Sequence, residues 1–343
     1  MRIGISFNLK SELSASSNRE PDDLAEEFDS PQTIEALQAV LTQAGHEVHL
    51  LGGDISVLEQ IKRLKIEFVF NIAEGFQGRN REAHIPALLE LLSVPYSGSD
   101  PLGLAATLDK SIAKKVAIAL GIPTPKCWVL DAKEDLAQMV APFPLFIKPL
   151  WEGSSKGIRL SSQVKDRLEL EREAMRLFAH YPGVPVLVEE YIKGREFTVG
   201  VIGNHPPEIF GMMEIRFQDP KKKDFCYSLE VKRNWRKEVE YIVPPQLIGT
   251  QISELEKAAI QLFKAFRLRD VARFDFRMDS KSTLYFLEVN PLPGLSPESG
   301  DLVILAQKKG LSYADLILKI LNSAFSRYPM LALGPLKGKT HVA

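Results

Sequence analysis

The sequence has few of the features that mark several classes of protein. Its two cysteines, Cys127 and Cys226, lie far apart without metal-ligand spacing, which favours free thiols in a reducing compartment over a disulfide. No stretch approaches the roughly 20 apolar residues that a membrane helix needs. Residues 1–8 contain only a short apolar run, so a secretory signal is not expected. We therefore expect a cytoplasmic protein with no membrane partner.

An excess of charge of one sign is also lacking, since the net charge of the 343 residues is -1. A nearly neutral protein does not attract nucleic acid, so nucleic acid is excluded as the main partner. None of the six histidines lies in a catalytic setting. The chain is long enough for two or three domains of roughly 100 to 200 residues each.

The first hundred residues alternate between strand and helix patterns. Apolar runs at residues 2–7, 47–51 and 68–71 predict strands, and the apolar spacing at 31–44 predicts an amphipathic helix. Strand, helix and strand in this order predict a parallel sheet with a right-handed crossover, hence an N-terminal α/β domain. Residues 8–30 are polar and have no apolar period, so we predict a mobile loop there.

The rest of the chain is predicted to form two further units and a tail. A helix at 109–120 places five apolar side chains on its inner face: Ile112, Ala113, Val116, Ala117 and Leu120. Strands are predicted at 127–130, 144–148 and 157–160 and several more between 186 and 243, with helices at 165–180, 253–266, 301–309 and 312–325. The predicted boundaries are 1–104 for the N-terminal domain, 105–186 for a central unit, 187–326 for a C-terminal unit and 327–343 for a loosely held tail.

Two strands near the C-terminal end carry a pattern that is typical of a magnesium site. Arg273 and Asp275 share one face of the run ARFDF, and Glu288 and Asn290 share one face of the run LYFLEVN. An Asp-Ser-Lys-Ser turn joins the two runs, so antiparallel pairing would bring Asp275, Glu288 and Asn290 together. Carboxylate and amide oxygens suit Mg²⁺ when phosphates and water complete its shell. A half-polar sheet that faces solvent is the alternative.

A strand end followed by small residues marks a candidate phosphate site. Lys148 ends the apolar run PLFIK, and Gly153, Ser154, Ser155 and Gly157 follow in a loop. The backbone N–H groups of such a loop are able to surround a polyphosphate. An ordinary hairpin turn beside a surface lysine is the alternative.

Four motifs in order resemble those of D-alanine–D-alanine ligases of the ATP-grasp superfamily. They are SVPYSGSDPLGLAATLDKSIAKK at 93–115, FIKPLWEGSSKGI at 146–158, VEEYIKGREFTV at 188–199, and the pair ARFDF and LEVNPLPGLSP. The resemblance covers residues 68–321. It implies an N-terminal parallel α/β domain followed by a two-subdomain ATP-grasp fold. It also implies an ATP-binding, magnesium-dependent ligase, for which we expect a homodimer.

The resemblance implies roles for individual residues around the ATP phosphates. Lys110 and Lys148 look like the two lysines that contact the phosphates. Ser154, Ser155 and Gly157 look like the loop that covers them. These roles agree with the phosphate site that the small-residue loop itself predicts.

The run VEEYI resembles the hinge strand that binds adenine in the related ligases. Glu189 then corresponds to the acid that faces the adenine amino group, and Tyr191 and Ile192 to the residues that flank the base. Glu196 corresponds to the acid that binds the ribose. For Glu189 and Glu190, an exposed acidic pair on an ordinary strand is the alternative.

The resemblance places a phosphate-covering lid at 216–237, which is the densest basic run of the chain. Glu230 and Lys232 resemble the Glu-x-Lys element of that lid, whereas Arg233 stands where many D-alanine ligases carry a tyrosine. A lid would protect an acyl-phosphate from water. A solvated basic face is the alternative.

Pro293 and Gly294 predict a turn whose backbone N–H groups are able to hold an oxyanion. By resemblance, Gly294 would donate to the oxyanion alongside Arg273, and Ser299 would contact the carboxylate of the acceptor. Ser299 is equally suited to cap the helix that is predicted from Asp301, and the residues alone leave both roles open.

The N-terminal signatures of the ligases are absent. Phe7-Asn8-Leu9-Lys10 replaces the glycine-rich turn with its ammonium-binding glutamate, and Glu12 is the nearest acid. The run NIAEGFQGRNREAHIP replaces the histidine-glycine turn, with Asn71 and Glu74 in the vicinity. Arg79, Arg81 and Glu82 add charge that would suit a larger or more acidic donor. The ATP machinery thus resembles the family, whereas the pocket for the first substrate is predicted to be rebuilt.

The sequence therefore predicts an ATP-dependent carboxylate–amine ligase that forms a peptide-type bond through an acyl-phosphate. Its cofactors would be ATP and two Mg²⁺ ions, with Mn²⁺ as a substitute, and its substrates amino acids or peptides. Three hypotheses remain open: formation of a D-alanine-type dipeptide, the same reaction with another amino-acid or peptide donor, and a nucleotide-binding regulatory protein without turnover. The complete set of Asp275, Glu288 and Asn290 weighs against the third hypothesis, because a sensor could lose a metal ligand and still bind adenine.

Overall fold

Three β-sheets carry the architecture, which the computed structural model describes over residues 1–12, 21–219, 221 and 228–332. In the N-terminal sheet, β1 (Arg2–Ser6) lies between β2 (Glu47–Gly52) and β3 (Phe68–Asn71). Both neighbours run parallel to β1. The predicted parallel α/β arrangement is confirmed.

Helix α1 (Pro31–Gln43) crosses from β1 to β2 and begins at a capped end. The hydroxyl of Ser30 accepts a hydrogen bond from the backbone N–H of Thr33 at 3.3 Å. Leu37 and Leu41 are fully buried in one cluster with the side chains of β1 and β3. The remaining helices of this part are α2 (Val57–Leu64), α3 (His84–Leu91) and α4 (Pro101–Leu108).

The central sheet is antiparallel, in the order β4-β7-β5-β6. Its strands are β4 (Cys127–Leu130), β5 (Leu145–Pro149), β6 (Gln163–Val164) and β7 (Val186–Glu190), accompanied by α5 (Lys110–Ala119) and α6 (Arg167–His180). The strand predicted at 157–160 is wrong. Gly157 has a φ of +74° and a 3₁₀ turn follows at Leu160–Ser162, so the chain bends where a strand would extend.

The C-terminal sheet is also antiparallel, in the order β10-β9-β8-β11-β12. Its strands are β8 (Gly194–Gly203), β9 (Pro207–Phe217), β10 (Val239–Ile242), β11 (Val271–Asp279) and β12 (Leu284–Asn290). The helices are α7 (Leu229–Arg233), α8 (Trp235–Glu238), α9 (Gly249–Ala265), α10 (Asp301–Lys308), α11 (Tyr313–Ser326) and α12 (Pro329–Ala332).

Two apolar clusters pack on the C-terminal sheet. Leu262 of α9 packs in one cluster with Phe274 and Phe276 of β11. Leu302 of α10 packs in the other, which also contains Ile5 of β1. The N-terminal sheet and the C-terminal helices therefore share a core, and the domain boundaries given above stay predictions.

The inner face of α5 differs from the prediction. The two alanines of that face are buried, but Ile112 and Val116 are only half-buried and Leu120 is 39 % exposed. Lys110 and Lys114 are buried instead. Lysines lie inside because carboxylates of neighbouring strands compensate their charge, as described below.

The polar segment before α1 is packed. Asp23 is fully buried and Phe28 is 5 % exposed, so the predicted mobile loop is wrong for residues 21–29. Cys226, residues 13–20 of the predicted loop and residues 333–343 of the predicted tail lie outside the described residues. Within the described ranges, no helix is both long enough and apolar enough to cross a membrane.

Candidate active site

Strands β11 and β12 bring the predicted metal ligands together. Asp275 lies directly opposite Glu288 in the antiparallel register, and Asn290 lies opposite Arg273. Phe274 is fully buried on the other face of β11, as the alternation predicted. The polar face of the two strands opens into a cavity of about 680 Å³.

Residues from the central and the C-terminal sheets line this cavity together. The predicted site residues in its lining are Lys148, Ser154, Ser155, Glu189, Tyr191, Ile192, Glu196, Lys232, Arg273, Asp275, Glu288, Asn290, Gly294 and Ser299. Lys110 and Gly157 do not line it, but Lys110 lies beside the lining residue Glu288, and Gly157 directly precedes the lining residue Ile158. The structure thus gathers nearly all of the predicted residues around one space.

Two neighbours hold Asp275 in place. Its Oδ1 accepts a hydrogen bond from the Oγ1 of Thr198 at 2.7 Å, and its Oδ2 accepts one from the Nη2 of Arg273 at 3.0 Å. Burial raises the pKa of Asp275, Arg273 opposes this increase, and the charge of Glu288 adds to it. Arg273 and the hydroxyl of Thr198 therefore favour the carboxylate form of Asp275, but they do not outweigh its burial.

Glu288 lies between two ammonium groups. Its Oε2 is 3.9 Å from the Nζ of Lys110 and 3.7 Å from the Nζ of Lys148. Burial opposes ionisation, but the two lysines outweigh burial and lower the pKa of Glu288 to about 2. The described part of the chain makes no hydrogen bond to this carboxylate, so its oxygens are available to a ligand.

The three side chains fit a hard divalent cation, because each presents oxygen. The Oδ1 of Asn290 accepts a hydrogen bond from the backbone N–H of Leu292 at 2.9 Å, which fixes its direction and leaves a second lone pair. Among the residues that the structure describes, no group of three or more His, Cys, Asp and Glu side chains is arranged to hold a metal ion. A cation bound here would therefore take further oxygen ligands from phosphates or water.

A buried pair of lysines flanks Glu189 on β7. The Oε1 of Glu189 is 2.6 Å from the Nζ of Lys114, and its Oε2 is 3.1 Å from the Nζ of Lys148. Glu189 is 3 % exposed and Lys148 is 5 % exposed, so the alternatives of an exposed acid and a surface lysine are wrong. Burial raises the pKa of Glu189, but the two lysines outweigh it and leave the pKa below its usual value. The contact between Glu189 and adenine stays a prediction.

Sequence reasoning missed Lys114, although a signal existed. It lies one helical turn after Lys110, on the same face of α5. Its Nζ also donates a hydrogen bond to the Oγ1 of Thr124 at 3.0 Å. A lysine within the apolar pattern of a helix indicates a buried charge when a carboxylate lies opposite. For Lys114 that carboxylate belongs to Glu189 on β7, which is distant in the sequence.

The loop after β5 has the backbone of an anion-binding turn. Ser154, Ser155 and Gly157 have φ angles of +51°, +62° and +74°, in the left-handed region. The N–H of Gly153 is engaged by the carboxylate of Glu27, which comes from the segment before α1. The conformation of the loop thus depends on a residue outside the loop.

A buried ion cluster lies behind this loop and was not predicted. The Nη2 of Arg81 is 2.8 Å from Glu27 and 3.3 Å from Glu152, and the Nζ of Lys156 is 3.1 Å from Glu27. The Nζ of Lys110 donates to the backbone carbonyl of Glu152 at 2.6 Å, which links the cluster to α5. These residues lie up to 129 positions apart, so no local pattern reveals them.

One arginine contacts three of the residues predicted to bind adenine and ribose. The Nη2 of Arg277 is 3.3 Å from the Oε2 of Glu196, and its Nη1 donates to the backbone carbonyl of Ile192 at 2.9 Å. The same guanidinium lies 5.0 Å from the ring centroid of Tyr191. Burial raises the pKa of Glu196 to about 7, although Arg277 opposes the increase. Sequence reasoning missed Arg277.

The predicted oxyanion turn lies beside the N-terminus of α10. Gly294 and Ser299 line the cavity, and the N-cap of α10 is Gly300, so the capping role that was open for Ser299 is wrong. Asp301 in the first turn of α10 pairs with Arg273 at 3.2 Å and was missed. Arg273 therefore has a carboxylate on either side.

The described part of the predicted lid contacts the loop after β5. The Nζ of Lys232 on α7 donates to the backbone carbonyl of Ser154 at 3.2 Å. Arg233 on the same helix is exposed and pairs with Asp22 at 2.9 Å and Glu26 at 2.7 Å, so the alternative of a solvated basic face is wrong for Lys232 and stays open for Arg233. Residues 220 and 222–227 of the predicted lid lie outside the described ranges.

Comparison with known proteins agrees with this geometry. The family described as D-ala D-ala ligase C-terminus matches residues 118–322, which is more than half of the chain. The chain belongs to the D-alanine–D-alanine ligase family. A D-alanine–D-alanine ligase of Aquifex aeolicus is 30 % identical to this family member over 295 residues, which cover 85 % of this chain and 94 % of that protein.

Two further likenesses extend over most of the chain. An uncharacterized protein of Sinorhizobium fredii, y4sG, is 33 % identical over 311 residues, which cover 86 % of this chain and 88 % of that protein. The crystal structure of a D-alanine–D-alanine ligase from Bacillus anthracis is 24 % identical, with a TM-score of 0.72, and the match covers 96 % of this chain and 99 % of that one. These findings confirm the fold as an N-terminal parallel α/β domain followed by an ATP-grasp fold. The chain is an ATP-grasp carbon–nitrogen ligase, and a regulatory protein without turnover is no longer favoured.

The donor side of this D-alanine–D-alanine ligase-like protein differs from the family signatures. Glu74 lines the cavity at the turn after β3, and within the described ranges its carboxylate makes no hydrogen bond or ion pair. Burial raises the pKa of Glu74 well above its usual value, and the charges of Glu82, Glu27 and Asp29 add to the increase. The cavity is therefore acidic around Glu74.

The other residues considered for the donor side have structural contacts. Arg79 pairs with Asp109 at 3.1 Å, and the Oδ1 of Asn71 accepts a hydrogen bond from the hydroxyl of Ser6 at 2.7 Å. Arg81 belongs to the buried ion cluster. The side chain of Glu12 lies outside the described residues. Glu74 is therefore the candidate that the cavity retains.

Proposed function

We propose that this ligase activates the carboxylate of an amino-acid or peptide donor and joins it to the amine of an acceptor, with a donor other than D-alanine. ATP phosphorylates the donor carboxylate to an acyl-phosphate and leaves as ADP. The amine then attacks the carbonyl carbon, and phosphate departs from the tetrahedral intermediate. Such a reaction depends on positioning and charge neutralisation more than on a protein nucleophile.

The arrangement of Glu288 is the observation that carries the proposal. An ionised carboxylate lies opposite Asp275, and the ammonium groups of Lys110 and Lys148 lie beside it. The lysines are placed to bind phosphate oxygens, while Asp275, Glu288 and Asn290 hold divalent cations. When bound there, Mg²⁺ neutralises the charge of the phosphates. We propose two Mg²⁺ ions, with Mn²⁺ as a substitute.

The remaining residues take the roles that their positions in the cavity support. Arg273 and the backbone N–H of Gly294 bind the oxyanion, and Ser299 contacts the acceptor carboxylate. Lys232, which already reaches the loop after β5, covers the phosphates together with Ser154. The loop residues Ser155 and Gly157 belong to the same cover.

The nucleotide base occupies the other end of the cavity. Glu189 accepts from the adenine amino group, and Tyr191 and Ile192 flank the base. Glu196 binds the ribose, and the neighbouring Arg277 keeps its side chain in place. We further propose a cytoplasmic homodimer with the domain boundaries 1–104, 105–186, 187–326 and 327–343.

The donor is proposed to bind with its ammonium group at Glu74. A carboxylate that is buried among other acids is costly to ionise unless a cation accompanies it. The charge of Arg81 opposes the increase in the pKa of Glu74 but does not outweigh it, and Arg81 itself pairs with Glu27 and Glu152. Glu74 also faces the cavity. An ammonium group of the substrate would supply the missing charge.

Replacing one oxygen of Glu288 tests the proposed reaction. We expect Glu288→Gln to lower ADP release by roughly a hundredfold or more, because the variant loses the charge that neutralises the cation and the lysines. Glu208→Gln, on an exposed strand position, is the matched control and keeps parental turnover. The measurement is steady-state ADP release with magnesium–ATP and a panel of amino acids and dipeptides. Turnover of Glu288→Gln within a few-fold of the parent would remove Glu288 from the site.

A further inference from the structure

The segment before α1 contributes several residues to the lining of the cavity. Residues 21–29, here called the strap, carry five acids, Asp22, Asp23, Glu26, Glu27 and Asp29. Asp23 is fully buried, and the side chain of Glu27 is 4 % exposed. The strap therefore uses charged side chains where a folded segment ordinarily uses apolar ones.

Glu27 holds the first glycine of the loop after β5. Its Oε1 accepts a hydrogen bond from the N–H of Gly153, and a Cβ at Gly153 would lie 2.9 Å from that oxygen. Arg81 and Lys156 pair with the same carboxylate. Burial opposes its ionisation, but these two cations lower the pKa of Glu27 to about 2. Glu27 is thus a permanently charged anchor for one end of the loop.

Asp23 holds the last glycine of the same loop. Its Oδ2 accepts a hydrogen bond from the N–H of Gly157 at 2.9 Å and pairs with Arg159 at 3.1 Å. Its Oδ1 accepts a hydrogen bond from the hydroxyl of Tyr181 at 2.6 Å. Both ends of the left-handed turn at Ser154 and Ser155 are therefore fixed by carboxylates of the strap.

Two further acids of the strap, Asp22 and Glu26, pair with the lid helix α7. Arg233 donates to Asp22 and Glu26, with nitrogen–oxygen distances of 2.9 Å and 2.7 Å. The backbone N–H of Leu229, at the start of α7, donates to the carbonyl of Ile158 at 3.0 Å. The lid helix and the loop thus meet on the same strap.

We propose that the strap is a positioning element that fixes the shape of the phosphate loop and couples it to the lid helix through Arg233. A left-handed turn at two serines is costly for the isolated backbone, so contacts from outside must hold it. Two of these contacts come from Glu27 and Asp23, and Arg233 limits the movement of the segment that carries them. ATP affinity then depends on residues that do not touch the nucleotide.

This inference concerns ATP binding, whatever the donor is. Its test therefore uses nucleotide binding and amide exchange, which need no turnover. Arg233→Ala removes the link from the lid side. The double variant Asp22→Asn with Glu26→Gln removes its ion pairs from the strap side and leaves only the hydrogen bond from Arg233 to the backbone carbonyl of Asp22. Both changes lie at partly exposed positions, so the fold is retained. Lys237→Ala, on the exposed face of α8, is the matched control.

Hydrogen exchange of the peptide that contains residues 153–157 is measured first, without nucleotide. We expect it to be roughly fivefold faster in Arg233→Ala and in the double variant, and parental in Lys237→Ala. The dissociation constant of magnesium–ATP should rise by a similar factor, and Arg233→Lys, which keeps the charge, should restore most of both effects. Combining the two sets of changes should give less than the sum of their separate effects, because both remove the pairs of Arg233 with Asp22 and Glu26, whereas the pair of Asp22 with Arg159 is lost only in the double variant.

Two results would overturn the proposal. Parental exchange of residues 153–157 in Arg233→Ala, together with weaker ATP binding, would mean that Arg233 contacts ATP directly and that the strap does not couple the elements. Parental hydrogen exchange of residues 153–157 and parental ATP binding in both variants would mean that the ion pairs of Asp22 and Glu26 are surface contacts without effect on the loop.

Discussion

Individual buried charges decide the chemistry of this site. Glu288 is ionised because Lys110 and Lys148 lie beside it, and Arg273 opposes the increase in the pKa of Asp275 that its burial causes. Glu74 is the exception, since its neighbours are mainly acids. Carboxylates beside cationic side chains, such as Glu288 and Asp275, are suited to bind a metal cation. A carboxylate among acids, such as Glu74, is suited to bind a cationic ligand.

The charge of Glu74 is expected to determine how donor affinity changes with pH. An ammonium group binds the ionised carboxylate, and the pKa of Glu74 is raised, so the donor KM of the parent should rise as pH falls and Glu74 is protonated. Glu74→Gln should raise the donor KM about tenfold or more at pH 8 and remove this pH dependence, while the KM of ATP stays parental.

The control for this prediction is Glu82→Gln. Glu82 lies in the same acidic neighbourhood, but it does not line the cavity. The donor KM of that variant should therefore still rise as pH falls, but at a lower pH than in the parent, because the charge of Glu82 no longer raises the pKa of Glu74. A donor KM that keeps its pH dependence in Glu74→Gln would assign the ammonium site to another group.

For individual residues, the sequence predicted side-chain positions only where side chains alternate between the two faces of a strand. The alternation of β11 and β12 put Asp275, Glu288 and Asn290 on one face, and the register confirmed it. The sequence pattern could not show that Lys114 and Glu27 are buried charges, because a charged side chain is recognised as buried only when its partner of opposite charge is known. Both partners lie on other elements of the fold.

Among the elements, the loop after β5 has the most demanding backbone. Gly157 takes a φ of +74°, and a Cβ there would collide with the ring of Pro149. The sequence predicted a glycine-rich loop correctly but continued it as a strand at 157–160. The spacing of glycines indicates a turn, but it does not show where the next helix or strand begins.

Gly157→Ala should weaken ATP binding more than it weakens the fold. The left-handed φ costs about 1 kcal/mol at any glycine of this kind, and the collision with Pro149 adds a displacement of the loop. Gly183→Ala is the matched control, because Gly183 has a φ of +79° and nothing within 4 Å of its Cβ position.

Thermal unfolding and the KM of ATP are measured for both glycine variants. We expect similar small losses of thermal stability but a several-fold higher KM of ATP only for Gly157→Ala. Equal ATP KM values in the two variants would show that the conformation of the loop at Gly157 does not matter for ATP.

For the whole molecule, the order of elements was more predictable than their contacts. Parallel and antiparallel sheets follow from local periods and connection lengths, and the sheets agree with those expectations. The strap, the ion cluster at Arg81 and the core that Ile5 shares with Leu302 join residues from distant parts of the sequence. Such contacts depend on the folded chain, which is why the donor side could be described only as rebuilt.

The specificity constant for D-alanine tests the central claim, which is the family reaction with a different donor. ADP release is measured with D-alanine as the sole amino acid and magnesium–ATP, with Glu288→Gln as the blank. Because Glu74 and its acidic neighbours replace the family's donor signatures, we predict a kcat/KM roughly a hundredfold or more below 10⁴ M⁻¹s⁻¹, and a higher value for another amino acid or dipeptide of the panel. A value of about 10⁴ M⁻¹s⁻¹ or more for D-alanine would contradict the account and assign the ordinary family activity to this chain.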